Sequence, residues 1–501
     1  MAERLALRRV AAAELLGATA TDRRRGMATI AGTTQSKDSD SRQEQAAQEQ
    51  AAFSAQVADI CKAVAAGGDT VLRDFIKRFD IQAGEKLWYG PEDFVQALVE
   101  LGPAERAVLE RSAARIRAFA AMQLTSLQAG SCPVPGGQAG QEILPLESAG
   151  CYVPGGRYPL VSSALMTIIP ARVSGVGQVT VACPQPGRLI LAACALAGAD
   201  RLLAAGGAHA IAALAYGTET VPACDIVVGP GNRWVAAAKQ LVSSFVRIDA
   251  LAGPSELLVL ADDQADARLV AADLLAQAEH DPDARVMLAA CSENFVLAVE
   301  SELNRLAGGL ASLLVIEKSL QSGLACVLPA GLELPAGGLC ATAAAYASEP
   351  APATAGTDQA AGSTIPPEYY ALAAIANRMA PEHLSLAVSR PELLQPLCRH
   401  AGAVFSGGQS AEVFGDYAAG PNHTLPTGGQ ARLGGGLSVF DFLRIRTWLR
   451  LDENADGREL VTRSDTFLSL IDDALALARM EGLPAHGLSA DLRGGRQHAQ
   501  S

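Results

Sequence analysis

The chain has 501 residues, 49% of them hydrophobic and 19% charged, with a formal net charge of −13. That length accommodates roughly two to four domains with substantial cores. The acidic balance argues against sequence-independent nucleic-acid binding, which needs a basic footprint, and no unbroken apolar run approaches the roughly 18 residues of a membrane span.

The ten cysteines are scattered between Cys61 and Cys398 with no Cys-x-x-Cys pair. That spacing fits reduced structural thiols in an intracellular compartment, not a disulfide scaffold or a thiolate zinc site. The first 26 residues are rich in Ala, Leu and Arg and include Arg23-Arg24-Arg25. They resemble an organelle transit peptide, although Glu3, Glu14 and Asp22 are unusual in one. Plastid targeting is the expectation, with a cytoplasmic protein as the alternative and Met27 as a second candidate start. Thr33 to Gln50 is polar, lacks large apolar residues, and reads as a solvated linker.

From Ala51 to Leu127 the pattern is helical, with amphipathic runs at Asp93–Leu101 and Ala104–Phe119. Gly130–Gly140 reads as a Gly/Pro loop. Beyond Ile143 short apolar strands alternate with helices, the signature of a parallel sheet with crossovers. Strands are expected at Gln178–Ala182, Arg201–Ala205 and Asp225–Val228, and helices at Leu189–Ala197, Ala208–Tyr216 and Arg233–Val242. Glycines at Gly206-Gly207 and Gly229-Pro230-Gly231 lie between strand ends and helix starts, where backbone N–H groups can hold a phosphate. Neither is a G-x-G-x-x-G fingerprint, and a tight turn alone explains such glycines as well.

The α/β texture resumes at Glu256–Ala261 (strand), Asp266–Glu279 (helix) and Val286–Ala290 (strand). Pro335–Ser363 is dominated by Ala, Gly, Pro and Thr and reads as a loop insertion. A helix from Glu368 to Arg378 then runs into Pro381, and a strand begins near Leu384. A short strand at Gly402–Phe405 precedes a Gly-rich stretch, and Thr462–Arg479 forms an amphipathic C-terminal helix.

The seven histidines make placement informative. Glu382 and His383 sit side by side at the helix–strand break, where a carboxylate and an imidazole can share acid–base work. Taken alone, an exposed acid beside a capping histidine is the stronger reading. Gln277 and His280, three apart at a helix end, project from one face and could offer one O and one N ligand to a metal. His280 could equally face the helix C-terminal dipole. Asp416, Asn422 and His423 lie in a glycine-framed loop, a setting that suits ligand contact and ordinary turn chemistry alike. Glu481 and His486 follow the last long helix, in a segment with the features of a docking tail.

Six ordered stretches resemble the histidinol dehydrogenase family. They are Tyr152-Val153-Pro154-Gly155-Gly156, Gly229-Pro230-Gly231-Asn232, Ala252-Gly253-Pro254-Ser255-Glu256, Gln277-Ala278-Glu279-His280, Ala380-Pro381-Glu382-His383-Leu384 and Gly420-Pro421-Asn422-His423. The resemblance runs from about Ala51 to Ala490. It implies an α/β fold of two incomplete Rossmann-like domains with parallel sheets, a helical N-terminal arm and a small C-terminal tail domain, assembled as an intertwined homodimer with shared active sites. On that basis the chain divides into a leader and linker (1–50), a helical region (51–145), a domain on the NAD side (146–247), a domain with metal and catalytic residues (248–445) and a helical dimerisation tail (446–501).

The resemblance further implies one Zn²⁺ per subunit, held by Gln277, His280, Asp416 and the partner subunit's His486. It implies oxidation of L-histidinol to L-histidine in two NAD-dependent steps through a bound aldehyde. His383 would be the general base and Glu382 would activate water. Ser255, Gln277, His280, His383, Asp416, His423, Glu481 and His486 would surround the substrate, and Tyr152, His209 and Asn232 would contact NAD. His209 departs from the family pattern, which usually has Gln there. The alternatives are a sister dehydrogenase acting on another amino or sulfonated alcohol, and a noncatalytic NAD- or metal-binding protein that kept the fold.

Overall fold

The computed structural model describes residues 5–16, 39–80, 86–155, 160–251, 253–329, 364–417, 419–451 and 465–494. The expected insertion at 335–363 lies outside them. The chain forms two compact units: residues 1–122 with 147–442, and residues 123–146 with 443–501.

The first unit opens with β1 (Arg8–Ala11) and α1 (Ala12–Leu16), followed by α2 (Ser39–Phe79), a helical segment broken by a kink at Gly68 (φ 54°). Both observations correct the sequence reading. β1 pairs in parallel with Leu324–Val327, so part of the presumed leader is the edge strand of a sheet. Leu5, Leu7, Val10 and Leu15 are buried, and Arg9 pairs with Glu293 and Glu300. Helix α2 begins at Ser39, inside the presumed linker, because Ala, Gln and Glu form helix readily. The polar composition reports only the lack of an apolar face: residues 47–52 are exposed.

β2 (Trp88–Tyr89), α3 (Pro91–Val99) and α4 (Pro103–Thr125) come next. In the second unit, β3 (Gly130–Val134) and β4 (Gly137–Pro145) replace the expected loop. The first unit then resumes with β5 (Ser148–Tyr152), α5 (Val161–Val173), β6 (Gln178–Ala182), α6 (Arg188–Ala197), β7 (Arg201–Leu203), α7 (Gly207–Tyr216), β8 (Ile226–Val228), α8 (Arg233–Val242) and β9 (Arg247–Ile248). These strands form a sheet of order β2-β7-β6-β5-β8-β9, parallel except for β2. The strand order reverses at β5, leaving a switch point between β5 and β8.

The second sheet repeats the plan with β10 (Glu256–Ala261), α9 (Ala267–His280), β11 (Arg285–Ala290), α10 (Glu293–Ala307), α11 (Leu313–Leu320), β12 (Leu324–Val327), α12 (Pro367–Met379), β13 (His383–Ala387), α13 (Pro391–Leu394), β14 (Ala403–Ser406) and α14 (Glu412–Tyr417). Its order is β1-β12-β11-β10-β13-β14, all parallel, with the reversal between β10 and β13. β10 and β13 are buried at every position, as strands covered by helices on both faces must be. The fold is therefore α/β with two Rossmann-like parallel sheets.

In the second unit, β15 (Leu443–Leu451) pairs antiparallel with β4 from Leu443↔Pro145 to Leu451↔Gly137. Helices α15 (Asp465–Met480) and α16 (Pro484–Gly494) complete it. The tail is thus a sheet-and-helix unit that recruits residues 123–146, not a purely helical segment beginning at 446. Among the described residues no helix is long and apolar enough to cross a membrane.

Candidate active site

The site is built at the amino ends of β10 and β13, the two strands flanking the reversal in the second sheet. Helix α12 ends at Ala380, which takes the left-handed conformation (φ 47°) and caps the helix through its N–H to the Ala376 carbonyl. Proline at 381 prevents the helix from continuing. The chain therefore turns sharply and places Glu382 just before β13 and His383 at its first position. His383 lies beside Leu257 in the ladder. A Cβ at Gly402 would meet the Glu382 carbonyl at 2.6 Å, so only glycine lets the start of β14 come this close.

The Glu382 carboxylate is buried and accepts from Ser255 Oγ at 2.7 Å and from the Glu256 N–H at 2.8 Å. Burial raises its pKa, against the opposing pull of His383 and of these two donors. Glu256, which the sequence reading left without a role, is 1% exposed and accepts from Gly428 N–H and Arg285. Burial pushes its carboxyl up to about 7 despite that arginine.

α9 and α14 supply the remaining groups. Gln277 is fully buried, yet neither its amide oxygen nor its amide nitrogen has a hydrogen-bond partner. His280, one turn on, places Nε2 3.7 Å from Asp416 Oδ2. His280, Glu412 and Asp416 each bring a ligand atom within 4.8 Å of the others, a cluster able to hold a metal ion. The His423 ring is anchored to the same helix, with Nδ1 2.8 Å from the Asp416 carbonyl.

His383 lies among these acids. Its Nδ1 is 3.2 Å from the Glu256 carbonyl and 3.6 Å from both Glu382 Oε2 and Glu412 Oε1. Its Nε2 is 3.7 Å from Asp416 Oδ1, a charge contact too long for a hydrogen bond, and has no hydrogen-bond partner. Burial alone would lower the imidazole pKa, but Glu412, Glu382 and Asp416 carry it up to about 10. Asp416 moves the other way: burial opposes its ionisation, and the positive field of His383, His423 and His280 holds it below its ordinary value. Glu412 is pushed up to about 8, chiefly by burial.

A protein-family model described as histidinol dehydrogenase matches residues 42–349 and 341–494. The histidinol dehydrogenase of Pseudomonas aeruginosa is 39% identical over 447 residues, covering 87% of this chain and 90% of its own. That of Methylococcus capsulatus is 38% identical over 446 residues, covering 87% and 91%. The chain belongs to the histidinol dehydrogenase family. It is an oxidoreductase. The crystal structure of histidinol dehydrogenase from Elizabethkingia anophelis superposes with a TM-score of 0.76 at 26% identity, covering 97% of this chain and 98% of that one.

The expected site residues fall into three places. Ser255, His280, Glu382, His383, Asp416 and His423 are linked by contacts at the amino ends of β10 and β13, and Gln277 lies one turn before His280 on α9. Tyr152 and Asn232 lie at the carboxyl ends of β5 and β8, which flank the switch point of the first sheet. Glu481 and His486 belong to the second compact unit.

His209, expected at the cofactor, is turned inward. It is 2% exposed, and its Nε2 is 2.9 Å from Asp80 Oδ2. Its ring lies against Phe75 and Phe79. The same Asp80 oxygen accepts from Gly206 N–H, so a protein carboxylate occupies one N-terminal donor of α7 that the sequence offered to a phosphate. The sequence reading also missed Glu412. Its signal was present: Glu412 and Asp416 are four apart and so share one face of α14.

Proposed function

We propose that this protein oxidises L-histidinol to L-histidine in two NAD-dependent steps, with one zinc ion per subunit. The observation that carries the reading is the fully buried, unpartnered Gln277 amide, one turn before His280 on α9. Leaving a buried polar group unpaired costs about 1–3 kcal/mol, and a ligand is the usual reason such a group persists. Gln277, His280 and Asp416 offer O and N donors of the kind zinc takes, with His486 of the partner subunit as the fourth ligand in an intertwined dimer. A zinc ion bound there supplies a positive charge that polarises the alcohol oxygen and opposes the carboxylates that hold His383 protonated.

The chain's own groups divide the proton work. With those carboxylates offset, a neutral His383 would present Nε2, which lies 3.7 Å from Asp416 Oδ1 and has no hydrogen-bond partner, to take the alcohol proton as hydride leaves for the nicotinamide. Glu382, whose carboxyl is raised by burial, suits the second step, in which it draws a proton from the water that adds to the bound aldehyde. Ser255 fixes the orientation of that carboxylate. Tyr152 and Asn232 lie where a doubly wound sheet takes a dinucleotide, outside the carboxyl ends of strands at the switch point. His209, already bonded to Asp80, is not assigned to the cofactor here.

Purified protein incubated with histidinol and excess NAD is expected to form two equivalents of NADH per histidinol and to lose that activity with a chelator. Absence of histidinol-dependent NADH from folded, zinc-supplemented protein would overturn the reading.

A further inference from the structure

The His383 ring is straddled by one helix. Glu412 and Asp416, one turn apart on α14, place a carboxylate oxygen 3.6 Å from Nδ1 and 3.7 Å from Nε2 respectively. The two sides of the ring are otherwise unlike. Around Nδ1 every neighbouring group is an acceptor: the Glu256 carbonyl, Glu382 Oε2 and Glu412 Oε1. Glu382 Oε2 already receives two donors, from Ser255 and from the Glu256 N–H. Glu412 is 3% exposed, and its Oε2 has no hydrogen-bond partner. The Glu256 carbonyl takes the hydrogen bond at Nδ1, and Glu412, at 3.6 Å, is a charge contact beside it whose second oxygen is unpartnered.

We propose that Glu412 is a positioning residue that holds the His383 imidazole with its proton on Nδ1, leaving the Nε2 lone pair turned toward the reacting atoms. A neutral imidazole carries one donor and one acceptor nitrogen, and the hydrogen bond made at one nitrogen decides which is which. Without the Glu412 carboxylate the Nδ1 proton is held by the Glu256 carbonyl alone, the two tautomers become closer in energy, and part of the population presents Nε2 as a donor, unable to take a proton. The inference rests on the reading of His383 as the general base. It is distinct from a role for Glu412 as a metal ligand, which its place in the cluster with His280 and Asp416 would also permit.

The test compares wild type, Glu412→Gln and Glu412→Ala as zinc-loaded proteins at one fixed alkaline pH. Glutamine keeps an acceptor oxygen and loses the charge; alanine loses both. ¹⁵N spectra of histidine-labelled protein, recorded without substrate, read the tautomer directly. The expected result is an Nδ1–H tautomer in wild type and Glu412→Gln, and a mixture in Glu412→Ala. Zinc content should be equal in all three. Glu412→Ala should lose about 10- to 100-fold in kcat for alcohol oxidation with little change in KM, and Glu412→Gln should recover most of it.

An unchanged tautomer in Glu412→Ala overturns the proposal, as does a loss of bound zinc that accounts for the loss of rate. A glutamine variant no better than alanine also overturns it. Should Glu412→Ala not fold, Glu412→Leu, closer in volume, takes its place. Wild-type protein that fails to turn over histidinol refutes the proposed function, while the tautomer comparison still decides the role of Glu412.

Discussion

The two six-stranded sheets share a plan but use opposite ends. In the first, the candidate cofactor residues lie at the carboxyl ends of β5 and β8, where open α/β sheets ordinarily bind ligands. In the second, the acid–base and metal candidates gather at the amino ends of β10 and β13. The chemistry of the two ends differs as well. Around the first switch point the polar groups satisfy each other. Lys239 and Asp249 form a buried ion pair, Lys239 donates to the Gly229 carbonyl, and Asp249 accepts from Gly229 N–H. Asn232 caps α8 through Trp234 and Val235, and Asp80 serves both Gly206 and His209. At the second, Gln277, His383 Nε2 and Glu412 Oε2 are buried without partners. One end is finished by folding. The other is left incomplete, in a form that a ligand can complete.

This contrast predicts substitutions of opposite sign. The largest effect belongs to the finished end: Lys239→Met strands Asp249 and frees the Gly229 turn, whose φ of 117° and 2.1 Å Cβ clearance to the Tyr152 carbonyl demand glycine. Removing one partner of a buried pair costs about 3–5 kcal/mol, and denaturant unfolding should show a loss of that order. At the incomplete end Gln277→Met exchanges two unsatisfied polar atoms for an apolar chain. Metal-free protein should gain about 1–3 kcal/mol while zinc affinity falls at least tenfold, as read by unfolding and by metal titration. A destabilised Gln277→Met would mean that the amide is satisfied in the folded protein, and the contrast would fail.

A smaller effect is expected at Asp273, one turn before Gln277 on α9, where burial raises the carboxyl from 3.8 to about 6. The folded state holds this proton more tightly than the unfolded chain. The contribution to stability is therefore complete below pH 3.8 and is lost as pH rises through about 6. Asp273→Asn should flatten that part of the stability profile, so its advantage over wild type is larger at pH 7 than at pH 4. Ala380→Gly should change least. Relief of a left-handed alanine, roughly 1–2 kcal/mol, is offset by the loss of a fully buried methyl group, roughly 0.8 kcal/mol. Its unfolding midpoint should lie close to that of wild type.

Much of this architecture was legible from residue patterns. Helix α8 and strand β10 occupy the predicted ranges because a capping Asn232 and an unbroken apolar run leave no alternative register. The break at Pro381 placed Glu382 and His383 correctly because proline ends a helix regardless of context. β15 was missed although Leu443, Ile445, Leu449 and Leu451 share one parity and Arg444, Arg446 and Arg450 the other, a period-two pattern in which Ile445 and Leu449 are nevertheless exposed. Its partner β4 lies some three hundred residues earlier, and pairing at that separation has no local signature. β1 was not expected because arginine-rich composition suggested a leader, and the buried Leu5, Leu7 and Val10 are unevenly spaced, so no period-two pattern marks the strand. At the site, residue type identified the donors but not their condition. That Gln277 is unpartnered and His209 already bonded depends on neighbours that only the folded chain supplies.

The central claim is that the amino ends of β10 and β13 are completed by a metal ion. The direct measurement is thermal unfolding of metal-stripped protein titrated with zinc, run in parallel on wild type and Gln277→Met. The account predicts a zinc-dependent rise in the wild-type midpoint that saturates at one ion per subunit and is much reduced in the variant. A wild-type midpoint that does not respond to zinc, or one that rises equally in both proteins, would contradict it.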